Sequence, residues 1–72
     1  MPATESIQVV VNGQPVTTRD AILIPEFLGE RDIRHDRVVV EWNGKAMTRD
    51  ESAAIRLANG DRLEVVRIVA GG

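Results

Sequence analysis

The chain contains no cysteine, so no disulfide can brace it and no thiolate can hold a metal or act as a nucleophile. It has no tyrosine, one tryptophan and one phenylalanine, which removes the stacking platforms used to bind single-stranded nucleic acid. Nine basic residues stand against eleven acidic ones, and this slightly negative balance argues weakly against a nucleic-acid partner. No apolar run approaches the roughly 18 residues of a membrane span. Met1–Ser6 shows neither the basic region nor the apolar stretch of a signal or transit peptide. With the lack of cysteine, this fits a reducing, cytoplasmic setting.

Catalytic residue types are scarce too. His35 is the only histidine, set between Arg34 and Asp36 in a polar connection, where a solvated side chain is expected. Only two serines, Ser6 and Ser52, are present, and neither has an evident base nearby. Asp50 and Glu51 are adjacent carboxylates, and neighbours in sequence do not face each other across a site. None of the glycine turns has the additional glycines and lysine of a phosphate loop. The expectation is a chain with no catalytic residue, no metal site and no bound cofactor. Arg31, Arg34 and Arg37 form a basic stretch that could bind an acidic partner, although such a stretch is more often a solvated link between elements.

What is present is β structure punctuated by glycine. At 72 residues the chain is one small domain, close to the lower limit for folding without staples. Ile7–Val11 reads as a strand running into Asn12-Gly13, a two-residue hairpin turn, with Gln14–Thr18 returning. Pro15 puts the returning strand at an edge or at its own first residue. Pro25–Arg31 is the main helical candidate: proline suits the first helical position and disfavours helical angles at Ile24. Ile24, Phe27 and Leu28, with the stem of Arg31, form its apolar stripe. Arg37–Trp42 is a strand that opens a second β unit and ends in Asn43-Gly44, and Lys45–Met47 returns from it. Thr48-Arg49-Asp50-Glu51 has the form of a capping box, so one helical turn is expected there. Ala58–Asp61 is a turn, and Arg62–Val69 the final strand. This order predicts an α+β fold, a mixed sheet of four to five strands packed on one helix.

Strand alternation then separates two faces. Ile7, Val9, Val11, Val38, Val40, Trp42, Leu63 and Val65 face the helix. Gln8, Val10, Val39, Glu41, Glu64, Val66 and Ile68 face outward. Val10, Val39, Val66 and Ile68 would make an apolar patch with a charged rim, the form of a docking surface. That patch adjoins the strand leading to Ala70-Gly71-Gly72. Two glycines in extended form can enter a channel too narrow for any Cβ. With Ala70 they reach about 10 Å beyond the strand. Nothing in this segment can anchor it, so a flexible tail is expected. The organisation is a short extension at residues 1–6, a domain over 7–69 and a tail over 70–72.

These pieces resemble the β-grasp, ubiquitin-like sulfur carriers, and among them the ThiS-type carriers of thiamine biosynthesis. The similarity rests on Val9-Val10-Val11-Asn12-Gly13, Val38–Gly44, Arg49, Asn59–Val66 and the closing Val69-Ala70-Gly71-Gly72. It departs from the family's usual pattern at Thr48, often proline, and at Ser52-Ala53, often aromatic. The helical segment Ile24–Gly29 also carries a proline and a glycine in a region usually richer in leucine and alanine.

The resemblance implies a carrier that is not itself an enzyme. A ThiF-type adenylating enzyme would use ATP to activate the carboxylate of Gly72. A sulfur donor such as a cysteine desulfurase persulfide would convert it to a thiocarboxylate, and a ThiG-type thiazole synthase would receive the sulfur. Gly71 would give clearance. Three other readings stay open: a sulfur carrier for molybdopterin synthesis or tRNA thiolation, a protein modifier, and a plain interaction module. For a modifier, the only side chain available for self-conjugation is that of Lys45, the sole lysine.

Overall fold

The structure is a computed structural model and describes residues 5–69. Five strands form one sheet: β1 (Ser6–Val11), β2 (Gln14–Arg19), β3 (Val38–Trp42), β4 (Lys45–Met47) and β5 (Arg62–Arg67). Their order across the sheet is β2-β1-β5-β3-β4. Helix α1 (Ile24–Gly29) covers one face, and a short second helix, α2 (Arg49–Ala53), follows β4. A single 3-10 turn at His35–Arg37 leads into β3. This is the expected β-grasp arrangement, with five strands and a second small helix beside the main one.

Both hairpins arise from their Asn-Gly pairs. Asn12 and Gly13 have φ of 50° and 82°, and Asn43 and Gly44 have 51° and 85°. Positive φ at both central residues is the type I′ turn, whose twist matches that of the flanking strands. β2 lies at a sheet edge with Pro15 opposite Val10, a place where proline's missing N–H costs the ladder least.

Helix α1 begins at Ile24, one residue before the expected start at Pro25, and ends at Gly29. Gly29 therefore stands at the helix end, where its cost is smaller than in an interior. Ile24, Phe27 and Leu28 are fully buried. Arg31 lies past the helix and lays its guanidinium over the Phe27 ring at 4.2 Å. Helix α2 starts from the capping box expected at Thr48. Thr48 Oγ1 accepts from the Glu51 N–H at 3.1 Å, and Glu51 Oε1 accepts from the Thr48 N–H at 2.9 Å.

The core comprises Ile7, Val9, Ile22, Ile24, Phe27, Leu28, Val40, Leu57 and Leu63, with Val11, Val38, Trp42 and Val65 packed against it. The strand faces assigned by alternation hold throughout this set. Burial of each such side chain contributes about 1.5–3 kcal/mol relative to exposure. Ile22 and Leu57 enter through a crossing that alternation does not reveal. Leu57 N–H donates to the Ile22 carbonyl at 2.8 Å, and Ile24 N–H to the Ile55 carbonyl at 3.0 Å. The strand ends also differ from expectation by one or two residues. β1 starts at Ser6 instead of Ile7, β2 runs on to Arg19 instead of Thr18, β3 starts at Val38 instead of Arg37, and β5 stops at Arg67 instead of Val69.

Candidate docking face and tail exit

β5 occupies the centre of the sheet and is tied from both sides by the hairpin turns. On one side β1 runs parallel to it, with Val10 opposite Arg62 and Val11 opposite Leu63. Beyond Val11 the Asn12 side chain continues the ladder. Its Oδ1 accepts from the Val65 N–H at 2.7 Å, and its Nδ2 donates to the Val65 carbonyl at 3.2 Å. On the other side β3 runs antiparallel from Val38–Arg67 to Trp42–Leu63. There Asn43 Oδ1 accepts from the Arg62 N–H at 2.8 Å. Asn59 Oδ1 accepts from the Gln8 N–H at 2.9 Å. All three asparagines of the chain precede glycine, and each bridges two segments with its amide.

Asp61 completes the seat of β5. One carboxylate oxygen accepts from Trp42 Nε1 at 3.1 Å and from the Ala58 N–H at 2.9 Å, and the other accepts from Asn43 Nδ2 at 3.1 Å. The sequence marks Asp61 only as a turn residue. The Asn-Gly pairs signalled the turns but not the amide bridges, which depend on β5 arriving between them.

At its carboxyl end β5 leads directly to the tail. Ile68 lies just past the strand and still donates its N–H to the Arg37 carbonyl at 2.9 Å. Val69, the last described residue, is 85 % exposed. The expectations for Ala70, Gly71 and Gly72 lie outside the described residues.

On the face away from α1, Val39 pairs directly with Val66. Val39, Val66 and Ile68 are 45, 60 and 54 % exposed, so three of the four expected docking residues share a surface beside the tail exit. Val10 stands apart. It is half-buried on β1 opposite Arg62, four residues before Val66, or about 13 Å along the strand. Glu41 and Glu64 are direct cross-strand partners next to the Val39–Val66 pair. Like charges so placed are locally unfavourable.

His35 departs from the solvated histidine expected. It is half-buried, and its Nε2 lies 2.6 Å from Ser52 Oγ. Ser52 is buried, and its hydroxyl also donates to the Arg49 carbonyl at 3.1 Å. The pair ties the 3-10 turn to α2, with the imidazole as a structural partner. At Asp36 desolvation acts to raise the pKa. The hydrogen bond and charge of Arg34, with the charge of Arg37, outweigh it and hold the carboxyl below its ordinary value. Glu51 is lowered chiefly by the Thr48 N–H that its carboxylate accepts. Among the described residues no group of three or more His, Cys, Asp or Glu side chains converges as a metal site, and no helix is long and apolar enough to cross a membrane.

Comparison with known proteins gives a consistent picture. A thiamine biosynthesis protein, ThiS, from Geobacter metallireducens superposes with a TM-score of 0.77 at 28% sequence identity. The match covers 92% of this chain and all of the other. The uncharacterized proteins ycf40 of Trieres chinensis and Pyropia yezoensis are each 31% identical to it. The alignments cover 86 and 93% of this chain and 85 and 94% of theirs. A thiazole synthase of Paramagnetospirillum magneticum is 27% identical over 66 residues; the chain spans only 20% of that relative's length. The profile of the ThiS family matches residues 9–72, from the middle of β1 through the terminal glycines, and the chain belongs to that family.

Proposed function

We propose that this protein is a sulfur carrier of thiamine biosynthesis whose cargo is attached at Gly72. The observation that carries the reading is the exit of β5. The central, doubly anchored strand of the sheet leads to an exposed Val69, after which the sequence continues Ala70-Gly71-Gly72. Family membership and the ThiS neighbour support it. So does the relative from Paramagnetospirillum magneticum, which combines a stretch similar to this chain with the rest of a thiazole synthase in one polypeptide.

The chemistry needs activation because a carboxylate is a poor electrophile. A ThiF-type enzyme joins the Gly72 carboxylate to AMP from ATP and releases pyrophosphate. The terminal sulfur of a persulfide attacks the acyl carbon, and AMP leaves. A second thiol then breaks the resulting S–S bond, becoming oxidised to a disulfide and leaving a thiocarboxylate on Gly72. That sulfur passes to a ThiG-type thiazole synthase. The carrier contributes the handle and orientation, and its partners contribute the catalysis, as with other group carriers. Val39, Val66 and Ile68 form the docking patch, with Val10 at its far margin. Gly71 and Gly72 keep the stalk thin enough to enter a narrow channel.

Pyrophosphate exchange with a ThiF-type enzyme tests the activation step. The full chain should support ATP-dependent exchange, and a chain lacking Gly71-Gly72 should support none. Gly72→Ala should fold normally yet exchange poorly. Normal exchange by Gly72→Ala would remove the clearance argument.

A further inference from the structure

The edge of β5 that faces β1 is vacant above Asn12. In the antiparallel pairing with β3, Ile68 bonds to Arg37 and Arg62 to Asn43. Residues 62, 64, 66 and 68 therefore turn their backbone polar groups toward β3, and the odd-numbered residues turn theirs toward β1. Asp61 and Leu63 meet β1 directly, and Val65 meets the Asn12 side chain. Arg67 is next in this series, and β1 has already turned away at Asn12-Gly13. Among the described residues, nothing hydrogen-bonds the N–H or C=O of Arg67, and by the alternation that Ile68 continues, Val69 is the next residue on this edge.

A groove opens beneath this edge on the α1 side. Its wall is apolar, built from Val11, Ile33, Val38 and Val65, and its volume is about 240 Å³. Arg67 and Asn12 close it, and an adjoining hollow carries Arg34 and Arg37 with Asp32. Arg34 is paired with Asp36 at 3.0 Å, whereas Arg37 and Arg67 make no ion pair among the described residues. The rim is therefore cationic in a chain of net charge −2.

We propose that this edge accepts an extended, acidic segment of a partner protein as an added strand. The segment's backbone pairs with Arg67 and Val69, one apolar side chain fills the groove, and flanking carboxylates meet Arg37 and Arg67. Vacant ladder groups supply the affinity and the pocket supplies the register, as in strand addition generally. Charged carboxylate–guanidinium contacts add orientation. Assigning the segment to an enzyme that handles the tail rests on the proposed carrier function; the edge and groove stand without it.

The probe is an acetylated, amidated Asp-Val-Asp-Val-Asp peptide, titrated into the full chain and followed by backbone amide NMR. Binding should shift the Arg67 and Val69 amides and slow their hydrogen exchange, leaving the Val39 and Val66 amides in place. A Lys-Val-Lys-Val-Lys peptide should bind at least about tenfold more weakly. Arg37→Glu, which leaves the backbone pairing intact, should weaken the acidic peptide by a similar factor. Arg67→Pro, which removes the donor, should abolish peptide-induced protection of the Val69 amide while Val39 keeps its native shift. Equal binding of both peptides, shifts confined to the outer face, or no shift at millimolar peptide would overturn the proposal. So would concentration-dependent protection of Arg67 without peptide, which would make a second copy of the chain the occupant. Failure here with normal pyrophosphate exchange rejects the edge site alone; the reverse pattern rejects the carrier reading alone.

Discussion

Asn12→Gly tests how β5 is held. The Asn12 amide makes two hydrogen bonds to Val65, at 2.7 and 3.2 Å, and it does so from a residue at φ 50°. Glycine keeps that conformation and preserves the type I′ turn, so the substitution removes the bonds and little else. Its greater freedom in the unfolded chain is partly offset by relief of the left-handed strain at asparagine. Each bond contributes about 0.5–1.5 kcal/mol, and both are solvent-accessible, so the expected loss is about 1–2 kcal/mol. For a domain of this size that lowers Tm by about 4–16 °C. Thermal unfolding followed by circular dichroism reads the shift, and amide exchange at Val65 reads its location. Asn12→Asp retains the acceptor and loses the donor, so it should leave the Val65 N–H better protected than glycine does. An unchanged Tm with unchanged Val65 exchange in Asn12→Gly would refute the claim that side-chain amides complete the β1–β5 ladder.

Glu64→Gln should raise Tm slightly, because it removes the like-charge pairing with Glu41; a lower Tm would show that the pair is compensated. Glu51 has a lowered folded-state pKa, so its contribution is present above the unfolded value and lost as pH falls through the folded one. Stability should therefore decline as the pH drops below about 4.5. Glu51→Gln should flatten that acid limb in melts taken between neutral and acidic pH, and an equally steep limb would remove the capping explanation. Val66→Asp sits on an exposed position and should lower stability by no more than about 1 kcal/mol. It should nonetheless weaken binding to a ThiF-type enzyme by calorimetry; unchanged affinity would take Val66 out of the docking patch.

Local chemistry made much of this fold readable in the sequence. Asn12-Gly13 and Asn43-Gly44 specify their turns through angles few other residues accept, and Thr48 with Glu51 specifies a helix start through two short-range bonds. Alternation sorted the inward and outward residues of β1, β3 and β5 because one face is buried. It could not say which strands lie side by side. The parallel pairing of β1 with β5 brings together residues some 50 positions apart, and the bridge from Asn12 to Val65 exists only once it forms; the bonds of Asp61 to Trp42 and Asn43 need the β3–β5 pairing as well. The burial of Ile22 and Leu57 depends on another long-range crossing, at Leu23 and Arg56, and the half-buried setting of His35 on its contact with Ser52 of α2. Val10 shows a further limit: alternation assigns a residue its face but not its distance along the strand from its neighbours on that face. The groove beside Arg67 was hidden because its wall is drawn from four separate segments.

Intact mass spectrometry of the protein expressed beside ThiF-type and persulfide-forming enzymes tests the central claim most directly. The carrier account predicts a species heavier by the mass difference between sulfur and oxygen, with fragment ions placing the change on Gly72. Oxidation of Met1 or Met47 gives nearly the same increment, so fragment position and thiol-specific alkylation distinguish the two. A Gly72 carboxylate left unaltered while ATP, activating enzyme and sulfur donor are all supplied would contradict the account.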